Sequence, residues 1–257
     1  MFWPSRTIHK FNLPYRLCSF GFIDKEDDKL ITAFENGFAI YEPETSKIQW
    51  LSKPETLSNG IRLNDGRVGP DGRFWAGSMH ESNMDEKDLS RTGLFKLDHN
   101  GQADFIRSGL NITNSTCWDP SRNRMYYSDS TAQEIYYSTY DLKTGALGPQ
   151  VKFIKLEKGH PDGAVIDIDG NLWVTIWGDS KVICFDPMGQ SLAVLPIPVP
   201  QPSCLTFGGP SMNLLFVTSA RTELTRQDLV SHSSSGAVFV YETNVMGRDI
   251  ERYIGLK

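Results

Sequence analysis

Asp162 and Gly163 lie in the stretch HPDGAVIDIDGNLWVTIWG (residues 160–178), which holds a second Asp-Gly pair at 169–170. Asp169-Gly170 separates two apolar runs, Ala164 to Ile168 and Leu172 to Ile176, where a tight hairpin needs residues that accept positive φ. Asp162-Gly163 follows a proline and precedes the first of those runs, where a hairpin has no use for it. A carboxylate at the mouth of a strand is suited to holding a hard cation or to taking a proton from water. Other polar residues in comparable settings are Arg62, Asn64 and Asp65 in RLND, Asn114 in NITNST and Ser203 in QPSC. Gathered around one opening, a carboxylate, two carboxamides and a guanidinium suit a hard divalent cation together with a hydroxylated, neutral or anionic ligand. Oxygen donors of this kind select Ca²⁺, Mg²⁺ or Mn²⁺, and Zn²⁺ also accepts carboxylate oxygen.

What would gather them is a repeat. The chain has almost no helical periodicity and many short β-branched and aromatic runs divided by Gly, Asp, Asn or Pro, so it reads as all-β. A polar turn followed by an apolar strand recurs as KEDDKLITAF, GPDGRFWAGS, DPSRNRMYYSD, DIDGNLWVTI and GGPSMNLLFVTSA. Aligned on Leu30, Phe74, Met125, Leu172 and Leu215, the repeats are roughly 43 to 51 residues apart, the length of a four-stranded propeller blade. After each comes a further strand closed by a turn, as in GLFKLDHNGQA and KVICFDPMGQSL. Before each lies a segment that would be the innermost strand: CSFGFI, SNGIRLNDGRVG, NITNSTCWD, HPDGAVIDI and QPSCLTFGG. Inner strands stand side by side around a propeller axis, so the polar residues at their starts converge on one mouth of a central channel. A single domain over residues 1–257 is expected.

Composition narrows the function classes. With 39% hydrophobic and 11% aromatic residues the chain has an ordinary globular core, which argues against disorder. A net charge of -5 without a Lys/Arg cluster argues against nucleic acid as a partner. The four cysteines, Cys18, Cys117, Cys184 and Cys204, form no CxxC pair and read as reduced, small apolar residues. No apolar run approaches a membrane span, and the first residues have no signal-peptide core, so the expectation is a cytoplasmic protein without membrane association. The sequons at Asn111 and Asn114 are then not sugar sites. No obligate protein partner is evident.

The runs RLNDGRVGPDGRFWAGSM (62–79), ITNSTCWDPSRNRMYYSDS (112–130), PDGAVIDIDGNLWV (161–174), PSCLTFGGPSMNLLFVTSA (202–220) and SGAVFVYETNVMGRDIERYIG resemble the SMP-30/gluconolactonase/regucalcin family of six-bladed propellers. The resemblance extends over nearly the whole chain from about residue 8. It implies a six-bladed β-propeller of four-stranded blades, one blade incomplete at the N-terminus, and a metal-dependent hydrolysis of a sugar lactone to the aldonic acid. By position, Asn114 and Asp162 match the family's metal ligands, with Asp162 also the proposed general base. Arg62 and Asn64 match its substrate-binding pair, and Glu81 stands near a substrate-touching acid of some members. The implied cofactor is one divalent cation, Ca²⁺, Zn²⁺, Mn²⁺ or Mg²⁺, and the implied partner a small-molecule sugar lactone. Two departures stand out. Ser115 replaces the Gly that usually follows the metal-binding Asn, and the family's first-blade Glu has no counterpart after Met1. Two alternatives follow: a phosphotriester or aryl-ester hydrolase on the same propeller, or a non-catalytic propeller that binds a metal or sugar acid.

Other polar residues have plainer explanations. Asp65 is expected to brace a turn through main-chain N–H groups, and His160 to be a loop residue. Asp71, Asp119 and Asp169 start β-turns. Trp75, Trp118 and Trp173 are expected to pack between blades.

Overall fold

The computed structural model describes residues 10–57, 60–81 and 86–255. The repeat pattern is realised as five sheets whose sequential strands pair antiparallel. The first contains β1 (Leu17–Ile23), β2 (Glu26–Phe34), β3 (Gly37–Glu42) and β4 (Lys47–Ser52). The second is β5 (Ile61–Val68), β6 (Phe74–His80), β7 (Gly93–Leu97) and β8 (Ala103–Ser108). The third is β9 (Thr113–Asp119), β10 (Arg124–Asp129), β11 (Glu134–Thr139) and β12 (Val151–Lys155). The fourth is β13 (His160–Ile166), β14 (Leu172–Trp177), β15 (Lys181–Phe185) and β16 (Ser191–Pro196). The fifth has three strands, β17 (Pro202–Gly208), β18 (Leu214–Ser219) and β19 (Val238–Glu242), with one short helix, α1 (Arg226–Ser231), between the last two.

The protein is therefore a five-bladed β-propeller among the described residues, which corrects the expectation of six blades with one incomplete. The reason lies in the pairing of the C-terminal strand. β20 (Arg252–Tyr253) starts no sheet of its own; it pairs in parallel with β1 through Phe22↔Arg252 and Ile23↔Tyr253, giving the first sheet a fifth strand. Tyr253 is fully buried, and its hydroxyl donates to the Asp98 carbonyl in the second blade at 2.7 Å. Five turn-plus-strand repeats thus give five sheets, and the last strand is used to fasten the first two blades.

Consecutive inner strands, β1 with β5, β5 with β9, β9 with β13 and β13 with β17, lie side by side. The core sits between neighbouring blades, because each sheet presents one apolar face to the next. Phe38 of the first blade meets Phe74 of the second at 6.0 Å between rings, Trp75 of the second meets Trp118 of the third at 6.5 Å, and Trp173 of the fourth meets Phe207 of the fifth at 6.0 Å. All three tryptophans are buried, as their packing between blades requires. Cys117 and Cys184 are buried and free, and Cys18 and Cys204 are partly buried and free.

The hairpin at Asp169-Gly170 forms with Gly170 at φ 88°. Its organising carboxylate, however, is Asp167, which is fully buried and accepts from the Asp169 and Asn171 main-chain N–H groups at 3.0 and 2.8 Å and from the Trp173 indole at 2.9 Å. The turn thereby ties itself to the inter-blade tryptophan.

Candidate functional site

The inner strands place their polar residues by a shared irregularity. In β5, Leu63 pairs with Ser78 and Gly66 with Ala76, so Asn64 and Asp65 stand opposite Gly77 alone. The same two-against-one arrangement puts Ser115 and Thr116 opposite Tyr127, Asp162 and Gly163 opposite Thr175, and Ser203 and Cys204 opposite Thr218. A β-bulge breaks the alternation of a strand and re-aims the side chains at the break. Asp162 is therefore inside β13, at its bulge, and not ahead of the strand as the proline before it suggests. His160 likewise belongs to β13, where its Nδ1 lies 2.8 Å from the Ser130 carbonyl. Four bulges at one level of the ring bring side chains from separate blades together.

The expected site residues form one hydrogen-bonded chain across three blades. Arg62 contacts Glu81 through Nε at 3.1 Å and donates to Asn64 Oδ1 at 3.1 Å. Asn64 Nδ2 donates to Asn114 Oδ1 at 2.8 Å, and Asn114 Nδ2 donates to the Ser130 hydroxyl at 2.8 Å. Ser130 then donates to the Pro161 carbonyl at 2.6 Å, next to Asp162, and Ser115 donates to the Asp162 carbonyl at 2.5 Å. The Thr175 hydroxyl, opposite the Asp162 bulge, lies 3.0 Å from both the Gly163 and the Ser203 carbonyl, sharing its one proton between them, and joins the fourth blade to the fifth.

Charge is unevenly distributed along this chain. At one end, Glu81 is paired with both Arg62 and Arg16, and the hydrogen bond from Arg16 is the main reason its carboxyl lies below the usual range. At the other end, burial pushes the Asp162 carboxyl well above its ordinary value, the like charge of Asp65 adds to the rise, and the Gly163 N–H opposes it. Asp65 is also raised by burial, against the pull of the Thr116 N–H and the Arg67 guanidinium. Asp65 accepts from the Thr116 N–H at 2.9 Å, so it braces the neighbouring blade's strand and not a turn of its own. Arg67 in turn donates to the Ala164 carbonyl at 3.0 Å.

The half-buried carboxyls of Asp65 and Asp162, both of raised proton affinity, and the Asn114 carboxamide are oxygen donors of the kind a hard cation takes. Asp162 and Asn114 are the residues suited to hold one. Among the described residues no group of three or more His, Cys, Asp or Glu side chains is gathered at one point.

Arg16, Ser115 and Ser130 belong to this arrangement and were not singled out for it from the sequence. The signal available for Ser130 was its place two residues after Ser128, which pairs with Asn114 across the sheet. Arg16 lies before the first inner strand and reaches Glu81 only through the packing of the first blade on the second.

The sequence and the fold both match a known family. Residues 2–221 fit the model of the SMP-30/gluconolactonase/LRE-like region. The chain belongs to this family. It is 30% identical to a putative sugar lactone lactonase, YvrE, of Bacillus subtilis over 82% of this chain and 72% of that protein. It is 28% identical to a 6-deoxy-6-sulfogluconolactonase of Pseudomonas putida over 94% of this chain and 81% of that one. Among solved structures it is similar to a calcium-binding regucalcin of Agrobacterium tumefaciens, with a TM-score of 0.87, 28% identity, and coverage of 96% of this chain and 82% of that chain. The resemblance in sequence and the likeness in fold thus agree on the family.

Proposed function

We propose that this protein hydrolyses a sugar lactone to the aldonic acid with the help of one divalent cation. The observation that carries the reading is the unbroken run of hydrogen bonds from the Glu81–Arg62 pair, through Asn64 and Asn114, to the segment bearing Asp162. One end offers donors and acceptors for hydroxyl groups, and the other a half-buried carboxyl of raised proton affinity. Lactonases among the relatives support the same chemistry.

Asp162 and Asn114 would hold the cation. When bound there, a divalent cation polarises the lactone carbonyl and makes water more acidic. Asp162 accepts the proton of the attacking water. The water oxygen bonds to the carbonyl carbon, the ring C–O bond breaks, and the ring oxygen departs as a hydroxyl after receiving from Asp162 the proton taken from water. Arg62, Asn64 and Glu81 orient the sugar hydroxyls, so that attack occurs within an already aligned pair. Their guanidinium, carboxamide and carboxylate favour a polyhydroxylated substrate over an aryl ester or phosphotriester.

The test is turnover of five- and six-carbon aldonolactones, an aryl acetate and a phosphotriester, each with chelator and with added Ca²⁺, Zn²⁺, Mn²⁺ or Mg²⁺. Cation-dependent turnover of aldonolactones is expected. Equal rates with chelator, or a preference for the aryl ester, would replace this reading.

A further inference from the structure

Ser115 is fully buried and has φ 61°, in the left-handed region where a side chain is disfavoured and glycine is not. A buried side chain kept at such a position needs a reason. Its hydroxyl is engaged as both donor and acceptor: it gives its proton to the Asp162 carbonyl at 2.5 Å and accepts from the Ser128 hydroxyl at 2.9 Å. The Asp162 carbonyl lies in the bulge, where the ladder between β13 and β14 skips from Pro161 to Ala164. Ser130, from the same blade as Ser115, holds the preceding carbonyl, that of Pro161, at 2.6 Å. Two successive peptide groups around Asp162 are thus held by two serines of the neighbouring blade. Ser130 also accepts from Asn114, so the two hydroxyls set Asp162 and Asn114 relative to each other across the blade boundary.

We propose that Ser115, with Ser130, is a positioning residue that fixes the Asp162 segment against Asn114 so that the two can act on one cation. This rests on the lactonase reading above. Ser115 touches neither substrate nor the reacting atoms; it acts through the main chain of Asp162. Substitution by Gly separates this role from a purely structural one, because it removes the hydroxyl and the backbone strain together, and the two effects on stability oppose each other.

The experiment measures three quantities for the parent, Ser115→Gly, Ser115→Ala, Ser130→Ala and Ser130→Thr: Ca²⁺ affinity by calorimetry, kcat and KM on an aldonolactone, and the thermal midpoint without cation. Ser115→Gly should keep the midpoint within roughly 3 °C of the parent. Its Ca²⁺ affinity and kcat should each fall about tenfold or more, the usual effect of removing a group that orients a ligand. KM should stay within about twofold, because Arg62 and Asn64 are untouched. Ser115→Ala, which keeps the strain, should lose the same activity and also melt lower. Ser130→Ala should lose cation affinity, and Ser130→Thr, which keeps a hydroxyl, should recover most of it. Parental Ca²⁺ affinity and kcat in Ser115→Gly would overturn the positioning role while leaving the lactonase reading intact. A parent protein that neither binds a cation nor turns over a lactone would overturn both.

Discussion

Asp162→Asn should make the protein more stable and far less active. The substitution keeps the shape of the side chain and leaves the main-chain carbonyl of residue 162 in place, so the hydrogen bond from Ser115 survives. It removes a half-buried charge that feels the like charge of Asp65. Leaving a buried polar group without full compensation costs about 1–3 kcal/mol, and more for a charge. For a chain of this size each kcal/mol moves the midpoint by roughly 2–4 °C, so the cation-free variant should melt roughly 2–12 °C above the parent at neutral pH. The sign follows from the raised pKa. The parent's neutral carboxyl is tolerated at acidic pH, and its stability is lost as pH rises through the folded-state value, so the variant's advantage should be small near pH 4 and grow with pH. Turnover should fall by about 10² to 10⁴, the range for losing a general base, or about 2.7–5.5 kcal/mol of barrier. Thermal scans in chelator from pH 4 to 8, beside lactone kinetics, provide the check. A variant that melts lower at neutral pH would show that the carboxylate makes a stabilising contact, and one that keeps parental turnover would remove Asp162 from the chemistry.

Cation affinity should rise with pH above the ordinary carboxylate range and binding should release a proton, because the cation competes with the proton held on Asp162; calorimetric heats that vary with the buffer's ionisation enthalpy would show it. Arg62→Ala should raise KM while leaving cation affinity nearly unchanged, since Arg62 reaches Glu81 and Asn64 and not Asp162; an equal loss of both would make it structural. Glu81→Gln should change stability by less than about 1 kcal/mol, as its carboxylate is exposed, yet raise KM, which chemical denaturation and steady-state kinetics would separate. Gly163→Ala should destabilise by roughly 1–3 kcal/mol through overpacking, because a Cβ there would lie 2.6 Å from the Cα and Sγ of Cys204 on the next blade; a midpoint equal to the parent's would mean that the blades part easily.

The architecture was legible in the sequence wherever it depended on local pattern. Each repeat carries its own turn residues and its own alternation of apolar side chains, so the strands around Leu30, Phe74, Met125, Leu172 and Leu215 could be placed from short windows. Trp75, Trp118 and Trp173 could be assigned to blade boundaries for the same reason, since a large apolar side chain on an outward face must find a neighbouring sheet. The blade count was not legible. Pattern distinguishes a strand from a turn, but whether Arg252 and Tyr253 found a sheet or join β1 is a matter of which edge they meet in three dimensions.

The same division runs through the site. Arg62, Asn64, Asn114 and Asp162 could be named from residue type and from the order of the repeats, because a propeller brings the starts of its inner strands to one mouth. Their mutual geometry was decided by the bulges. Two residues opposing one shift every later side chain in the strand, and a period-two pattern read from sequence carries no mark of where that happens. Only the folded ring placed Ser115 beneath the Asp162 carbonyl, 47 residues along the chain, and set Asp65 where its charge raises Asp162's hold on a proton. Residue types determined which groups were available for chemistry; packing between blades, which acts over distances that no window of sequence spans, determined which of them meet.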